Sequence, residues 1–129
     1  MMLGVTSFYA GLLTLLYIAL SWRVISYRYA AGVSIGDGEN EIMQRRMRAH
    51  GNAGENIPIG LILLALVELQ GAPIAIVHLL GLMLVVGRTM HGLALTRATP
   101  WSLGRKGGMG LTFLMLGLSA IGLTLHAIF

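Results

Sequence analysis

Arg48, Asn52 and Glu55 stand four and three residues apart in "RRMRAHGNAGENIP", Arg45 to Pro58, and Arg88 and His91 stand three apart in "GRTMH". Spacings of three and four put side chains on one side of a helix. A guanidinium binds a carboxylate through paired N–H groups, a carboxylate binds an ammonium, and a side-chain amide both donates and accepts. Together they form a receptor for a small zwitterion that carries acid groups. Arg45 begins the stripe, which then runs Arg45, Arg48, Asn52, Glu55. Arg48 or Arg88 is the expected counter-charge of Glu55.

Such groups are out of place in so apolar a chain. Of 129 residues, 56% are hydrophobic and 11% charged, against about 25% charged in an ordinary soluble domain, and the mean hydropathy is +0.78. The length suits a single domain, residues 1–129. Cysteine is absent, which excludes a disulfide framework, a thiolate metal site and a cysteine nucleophile. Any thiol in the chemistry must arrive with a ligand. The net charge is +4, but no basic face interleaved with aromatics accompanies it, so nucleic acid is not an expected partner.

The elements that must position these groups are membrane spans. Leu3 to Trp22 is uncharged over twenty residues, enough to cross roughly 30 Å of hydrocarbon. No positive charge precedes it, so a retained helix is expected rather than a signal peptide. A Gly- and Asp-rich hinge follows at "AGVSIGDGEN". Further apolar runs extend from Ile57 to Leu69, from Pro73 to Gly87 and from about Gly107 to Phe129. "QGAP" turns between the second and third, and "TRATPWSLGRKGG" links the third to the fourth. Pro73 suits a first helical turn, where its missing N–H costs nothing. The expected fold is an all-α integral membrane bundle of four transmembrane helices.

The two middle runs are too short. The thirteen residues from Ile57 to Leu69 reach only about 20 Å. Extending that helix backward draws in Glu55, Asn52 and His50. The third needs Arg88 and His91 near or inside the membrane boundary. Every lysine and arginine falls within Arg23 to Arg48 or Arg88 to Lys106, so the positive-inside tendency assigns both segments, and the polar pocket, to the cytoplasmic side. Intramembrane ionisable groups are functional candidates by default.

Plainer roles compete. Arg23, Arg28, Arg46, Arg97 and Lys106 could serve as topology signals that snorkel to headgroups. Arg48, Asn52 and Glu55 could form a polar knot joining helices. His78 and His126 lack charged neighbours at helical spacing and read as packing or interface residues. A His50–His91 metal site lacks a third ligand. Pro58 removes the helical partner of the Gly54 carbonyl, which allows a kink beside Glu55.

"RAHGNAGENIP" followed by "GRTMH" resembles the MAPEG family, the membrane-associated proteins in eicosanoid and glutathione metabolism. "RVISYR", "GDG" and "RKGGMGLT" resemble its bacterial branch. The resemblance covers nearly the whole chain and implies a homotrimer in a bacterial inner membrane, with glutathione held between neighbouring subunits as co-substrate. It implies that Arg48, Asn52 and Glu55 bind the tripeptide, that Arg28 meets one of its carboxylates and that His91 lines the pocket. Arg88 adds a further guanidinium for the peptide's acid groups. Arg105 takes the place of an arginine that steadies the sulfur in relatives, one position off a strict count from His91. Gly51, Asn56 and Leu95 replace an arginine and two tyrosines of some relatives, so binding is implied more directly than eicosanoid chemistry.

The implied activity is a glutathione S-transferase or peroxidase acting on lipophilic electrophiles or hydroperoxides from the membrane lipid. The rival is a non-catalytic scaffold or ligand sensor that keeps the pocket. A transporter using Glu55 and His91 ranks below both, for want of an inverted repeat.

Overall fold

The structure is a computed structural model, and it describes residues 2–97 and 101–129. Four helices follow in order: α1 Gly4–Ala31, α2 Glu41–Leu69, α3 Ile74–Thr96 and α4 Ser102–Ile128. Each is long and apolar enough to cross a membrane. Residues 98–100, inside the expected α3–α4 link, lie outside the described residues.

Both middle helices gain their length from the polar segments. α2 has 29 residues, about 43 Å, and so overshoots a hydrocarbon layer of roughly 30 Å. It starts where Asn40 accepts the Met43 N–H at 3.0 Å, an N-cap that satisfies one orphan donor of the first turn. The helix runs unbroken through Pro58. α3 begins directly after Pro73. α1 continues past Trp22 to Ala31, where the expected hinge begins, so Arg23 and Arg28 are helical.

α1 has no capping side chain of its own. Glu68, near the end of α2, supplies one: its carboxylate accepts the Val5 N–H at 3.0 Å and the Thr6 N–H at 2.7 Å. Negative charge at a helix N-terminus also suits the helix dipole. Nearby, the Tyr9 hydroxyl donates to the His78 carbonyl at 3.0 Å. With that proton committed, the contact to His78 Nδ1 at 3.2 Å requires the ring N–H to donate back. These bonds fix α1 to both central helices. Glu68→Ala is expected to cost about 1.5–3 kcal/mol, the range for hydrogen bonds to a charged group. Thermal unfolding in detergent should show the loss, and amide exchange should accelerate at Val5 and Thr6 first.

α2 and α3 form the centre. α1 packs on both from one side and α4 on both from the other, and α1 and α4 do not touch. Leu13, Leu64, Leu84 and Met115 are fully buried between them. α3 and α4 approach closely at two glycines, Gly87 and Gly108. A methyl on Gly108 would sit 2.6 Å from the Gly87 carbonyl and 2.7 Å from the His91 nitrogen. Close backbone approach over small residues is how membrane helices gain contact where lipid tails are as apolar as the helices. Phe8, Leu15 and Trp22 on α1, with Phe113, Leu118 and Ile121 on α4, point outward, as a hydrocarbon surrounding allows.

The arginines read as topology signals mostly have internal partners. Arg23 donates to the Thr96 carbonyl at 3.2 Å, Arg46 donates to the Arg23 carbonyl at 2.7 Å, and Arg46 covers the Tyr27 ring at 4.6 Å. Arg97 covers Trp101 at 5.1 Å. The Thr96 carbonyl, at the end of α3, lacks an intrahelical partner and takes the Arg23 guanidinium, while the Arg23 carbonyl, inside α1, takes Arg46 as a further donor.

Candidate functional site

Arg88 is the innermost charge of the bundle, 1% exposed. Its Nε donates to Thr112 Oγ1 at 2.9 Å, one terminal nitrogen to Asn52 Oδ1 at 2.5 Å, and the other to the Gly108 carbonyl at 3.4 Å and to the Met109 sulfur at 3.3 Å. The Gly87–Gly108 crossing makes this possible by bringing α4 backbone within reach of α3. No carboxylate joins the group. Among the described residues the one ion pair is Arg45–Glu41 at 2.7 Å, so the expected pairing of Glu55 with Arg48 or Arg88 is corrected. Neutral acceptors and a sulfur hold the buried cation.

The bond to Asn52 has a chemical consequence. A guanidinium only donates, so it must face the amide oxygen. The two N–H groups of Asn52 are thereby turned toward the cavity that Asn52 lines. That cavity has a volume of about 580 Å³, in the range of small-molecule sites. From α2 it receives Arg45 and Arg48, from α3 His91 and Leu95, and from α4 Arg105 and Lys106. Glu41 is the one carboxylate in its wall, already held by Arg45. His91 is 6% exposed and lies one turn from Arg88. A second chamber of about 450 Å³ shares Arg45, Leu95, Arg105 and Lys106 and extends the space to Trp101. The site presents cations and N–H donors together: a receptor for anionic oxygen, or for a thiolate.

Of the residues expected at this site, Arg48, Asn52, His91 and Arg105 line one cavity, and Arg88 stands behind Asn52. Glu55 and Arg28 do not reach it. Glu55 lies within about 20° of Arg48 round the helix but seven residues, about 10 Å, further along it, so depth keeps it from the cavity. The buried face of α2 runs through Ala49, Ala53 and Ile57, so Glu55 projects away from the core and is exposed. Arg28 sits on α1, which lies across α2 and α3 from α4. It donates to the Gly36 carbonyl at 2.8 Å and to the Met47 sulfur at 3.6 Å. No metal-binding group of three or more His, Asp or Glu occurs among the described residues. His50 instead faces the Tyr17 ring, with centroids 4.6 Å apart.

Sequence reasoning missed Glu41, Gln44, Lys106 and Met109 in the wall, and Thr112 and Gly108 as partners of Arg88. The spacing of Gly108 and Thr112, four apart, was visible in "GGMGLT". That it faces Arg88 depends on the α3–α4 crossing, which no local pattern encodes.

A four-helix integral membrane protein with a cationic cavity at one end of its bundle is the class that fold and site define. The MAPEG family pattern matches residues 6–125, and the chain belongs to that family. Inner membrane protein YecN of Escherichia coli strain K12 is 40% identical to it over 87 residues, a match covering 67% of this chain and 66% of the relative. Inner membrane protein YecN of Escherichia coli O6:H1 strain CFT073 matches with the same identity and coverage. The chain therefore spans just under two thirds of these relatives. An inner membrane relative and four apolar helices together support an integral inner membrane location.

Proposed function

We propose that the cavity binds glutathione, or a similar anionic thiol, and activates its sulfur toward a lipophilic electrophile or hydroperoxide from the bilayer. The observation that carries this reading is the Arg88–Asn52 bond, which turns a donor-only amide edge into a cavity ringed by Arg48, Arg105 and Lys106. Glutathione carries two carboxylates and one ammonium, and such an array matches the acid groups. Arg48 and Asn52 would hold the peptide, His91 would line its path and Arg105 would steady the thiolate. In conjugation the sulfur forms a bond to carbon as halide leaves. With a hydroperoxide, two thiols yield disulfide, alcohol and water.

Glu55 and Arg28 enter this scheme only through a neighbour. In a homotrimer with glutathione between subunits, the outward carboxylate of Glu55 would meet the ammonium and Arg28 would add a guanidinium. The cavity would face the cytoplasm.

Leu95 favours the second reading, a ligand sensor or scaffold, because an aliphatic side chain stands in the cavity wall and supplies no proton to a leaving group. Calorimetric titration of glutathione into detergent-purified protein tests both readings, and turnover with an aryl halide separates them. Arg48→Ala is expected to weaken binding by about 10- to 150-fold, the worth of a hydrogen bond to a charged group. Undetectable glutathione binding by the native protein would end the first reading and leave only the scaffold. Glu55→Gln with unchanged affinity would remove that carboxylate from the site.

A further inference from the structure

Arg23 and Arg46 meet on α1, away from the cationic cavity. Arg46 follows Arg45 by one residue, about 100° round α2, so Arg45 lines the cavity while Arg46 reaches α1. There Arg46 donates one terminal nitrogen to the Arg23 carbonyl at 2.7 Å and lies over the Tyr27 ring at 4.6 Å. Arg23 in turn sends one terminal nitrogen to the Thr96 carbonyl of α3 at 3.2 Å. Both arginines are half-buried.

These bonds hold the two guanidiniums without neutralising them. A carbonyl carries no charge, and the one ion pair among the described residues lies elsewhere, between Arg45 and Glu41. Each Nε is buried without a partner and so offers nothing to a ligand. The second terminal nitrogen of each arginine differs: it is neither bonded among the described residues nor buried. Its two N–H groups remain available to an acceptor. Two half-buried cations in one locus repel, and cations drawn out of water cost free energy unless an anion answers them.

Their depth says which anion. Arg23 is the first charge after the twenty uncharged residues from Leu3 to Trp22, so it stands where α1 leaves the hydrocarbon. Trp22 is 67% exposed and Tyr29 85% exposed, and exposed aromatics of this kind gather at the headgroup layer. Ile18 and Ile25 point outward on the same helix, where acyl chains run. The anion present at that depth is lipid phosphate, whose oxygens match a guanidinium fork. We propose that Arg23 and Arg46 form a binding site for the headgroup of one anionic phospholipid, whose phosphate accepts from their uncommitted terminal nitrogens. A lipid held there clamps α1 to α2 and, through the Thr96 carbonyl, to α3. The site does not rest on the glutathione reading.

The test is native mass spectrometry of the detergent-purified protein, titrated with phosphatidylglycerol and with phosphatidylcholine of the same chains. The first phosphatidylglycerol should be retained at about thirtyfold lower concentration, the attraction of two arginines for an anionic headgroup. Arg46→Gln should cut that preference to about fivefold, and Arg23→Gln combined with Arg46→Gln should bring it to about one. Arg97→Gln removes another cation at the same end, one that covers Trp101, and should leave the preference at about thirtyfold. Thermal unfolding in phosphatidylcholine nanodiscs checks the fold. If Arg46→Gln unfolds, Arg46→Lys decides: it keeps the charge without the fork, so a reduced preference supports the site and an unchanged one overturns it. Equal retention of the two lipids by the native protein overturns the proposal. So does a loss in Arg97→Gln as large as that in Arg46→Gln, which would make the effect one of boundary charge in general. Release of phosphatidylglycerol by millimolar inorganic phosphate would make the locus a site for free phosphate and end the lipid assignment.

Discussion

Arg88→Met is expected to leave the bundle folded and to weaken glutathione binding by about 10- to 150-fold, the equivalent of one charge-assisted hydrogen bond at about 1.5–3 kcal/mol. The two effects separate because of what Arg88 leaves behind. Thr112 Oγ1 still donates to the Gly108 carbonyl at 2.9 Å, so neither group is orphaned. Asn52 is only partly buried, and water can reach its freed oxygen. Methionine fills much of the same volume without the cost of keeping a cation from water, and exchanging buried ionic groups for apolar ones is often neutral or stabilising. Binding fares differently. Without a donor fixing its oxygen, Asn52 can present either edge to the cavity, and the nearest buried positive charge is gone. Arg88→Lys should fall between, since an ammonium restores the charge but not the planar fork. Calorimetric titration beside thermal unfolding checks this. Glutathione affinity unchanged in Arg88→Met would show that Asn52 is oriented by something else. Collapse of the fold would show that the guanidinium is chiefly a structural pin.

The prominence of Arg88 was only half legible in the sequence. A deficit of apolar length in two neighbouring helices announced that polar groups enter the membrane at one end, and α2 and α3 do extend in that way. Hydropathy also marked four spans in the right order. What it missed lies in three dimensions. The uncharged run stops at Trp22, yet α1 continues to Ala31, where the Gly- and Asp-rich hinge was expected to begin, and Arg23 finds the Thr96 carbonyl. Glu68 drew no role from the sequence because its partners, two backbone N–H groups of α1, carry no sequence signature. Glu55 was placed on the stripe by its angle, but it lies about a turn beyond Asn52, the last stripe residue that lines the cavity. Lys106, read as a headgroup anchor, lines the cavity because α4 starts at Ser102, earlier than its apolar run implied. Local period and composition carried the elements. Crossing geometry decided which side chains meet.

Arg105→Ala is the second large effect expected, and it bears on chemistry more than on affinity. Arg105 and Lys106 both line the two chambers, but successive helical residues diverge by about 100°, so only one of them can sit closest to a bound sulfur. A free thiol ionises at about pH 8.5, and a neighbouring cation lowers that value. Removing the cation raises it again. At pH 7 the thiolate fraction then falls, and whatever stabilisation the guanidinium gave to developing charge falls with it. Loss of one such donor in other enzymes lowers kcat by about 10²–10³. Turnover with an aryl halide should drop by that order at pH 7, while glutathione affinity changes by less than about tenfold, because Arg48 and Asn52 still hold the peptide. The sign of the pH dependence follows: the deficit shrinks as pH rises through about 9, where the thiol ionises unaided. Arg105→Lys should keep the native profile at reduced rate. Ultraviolet absorbance of the bound thiolate gives the same answer without turnover, so it also serves if the protein is a sensor. If Lys106→Ala shows the large loss and Arg105→Ala does not, the sulfur lies one position along the helix from where the resemblance puts it. If neither moves the thiolate signal, the cationic end of α4 holds carboxylates and the sulfur is activated elsewhere.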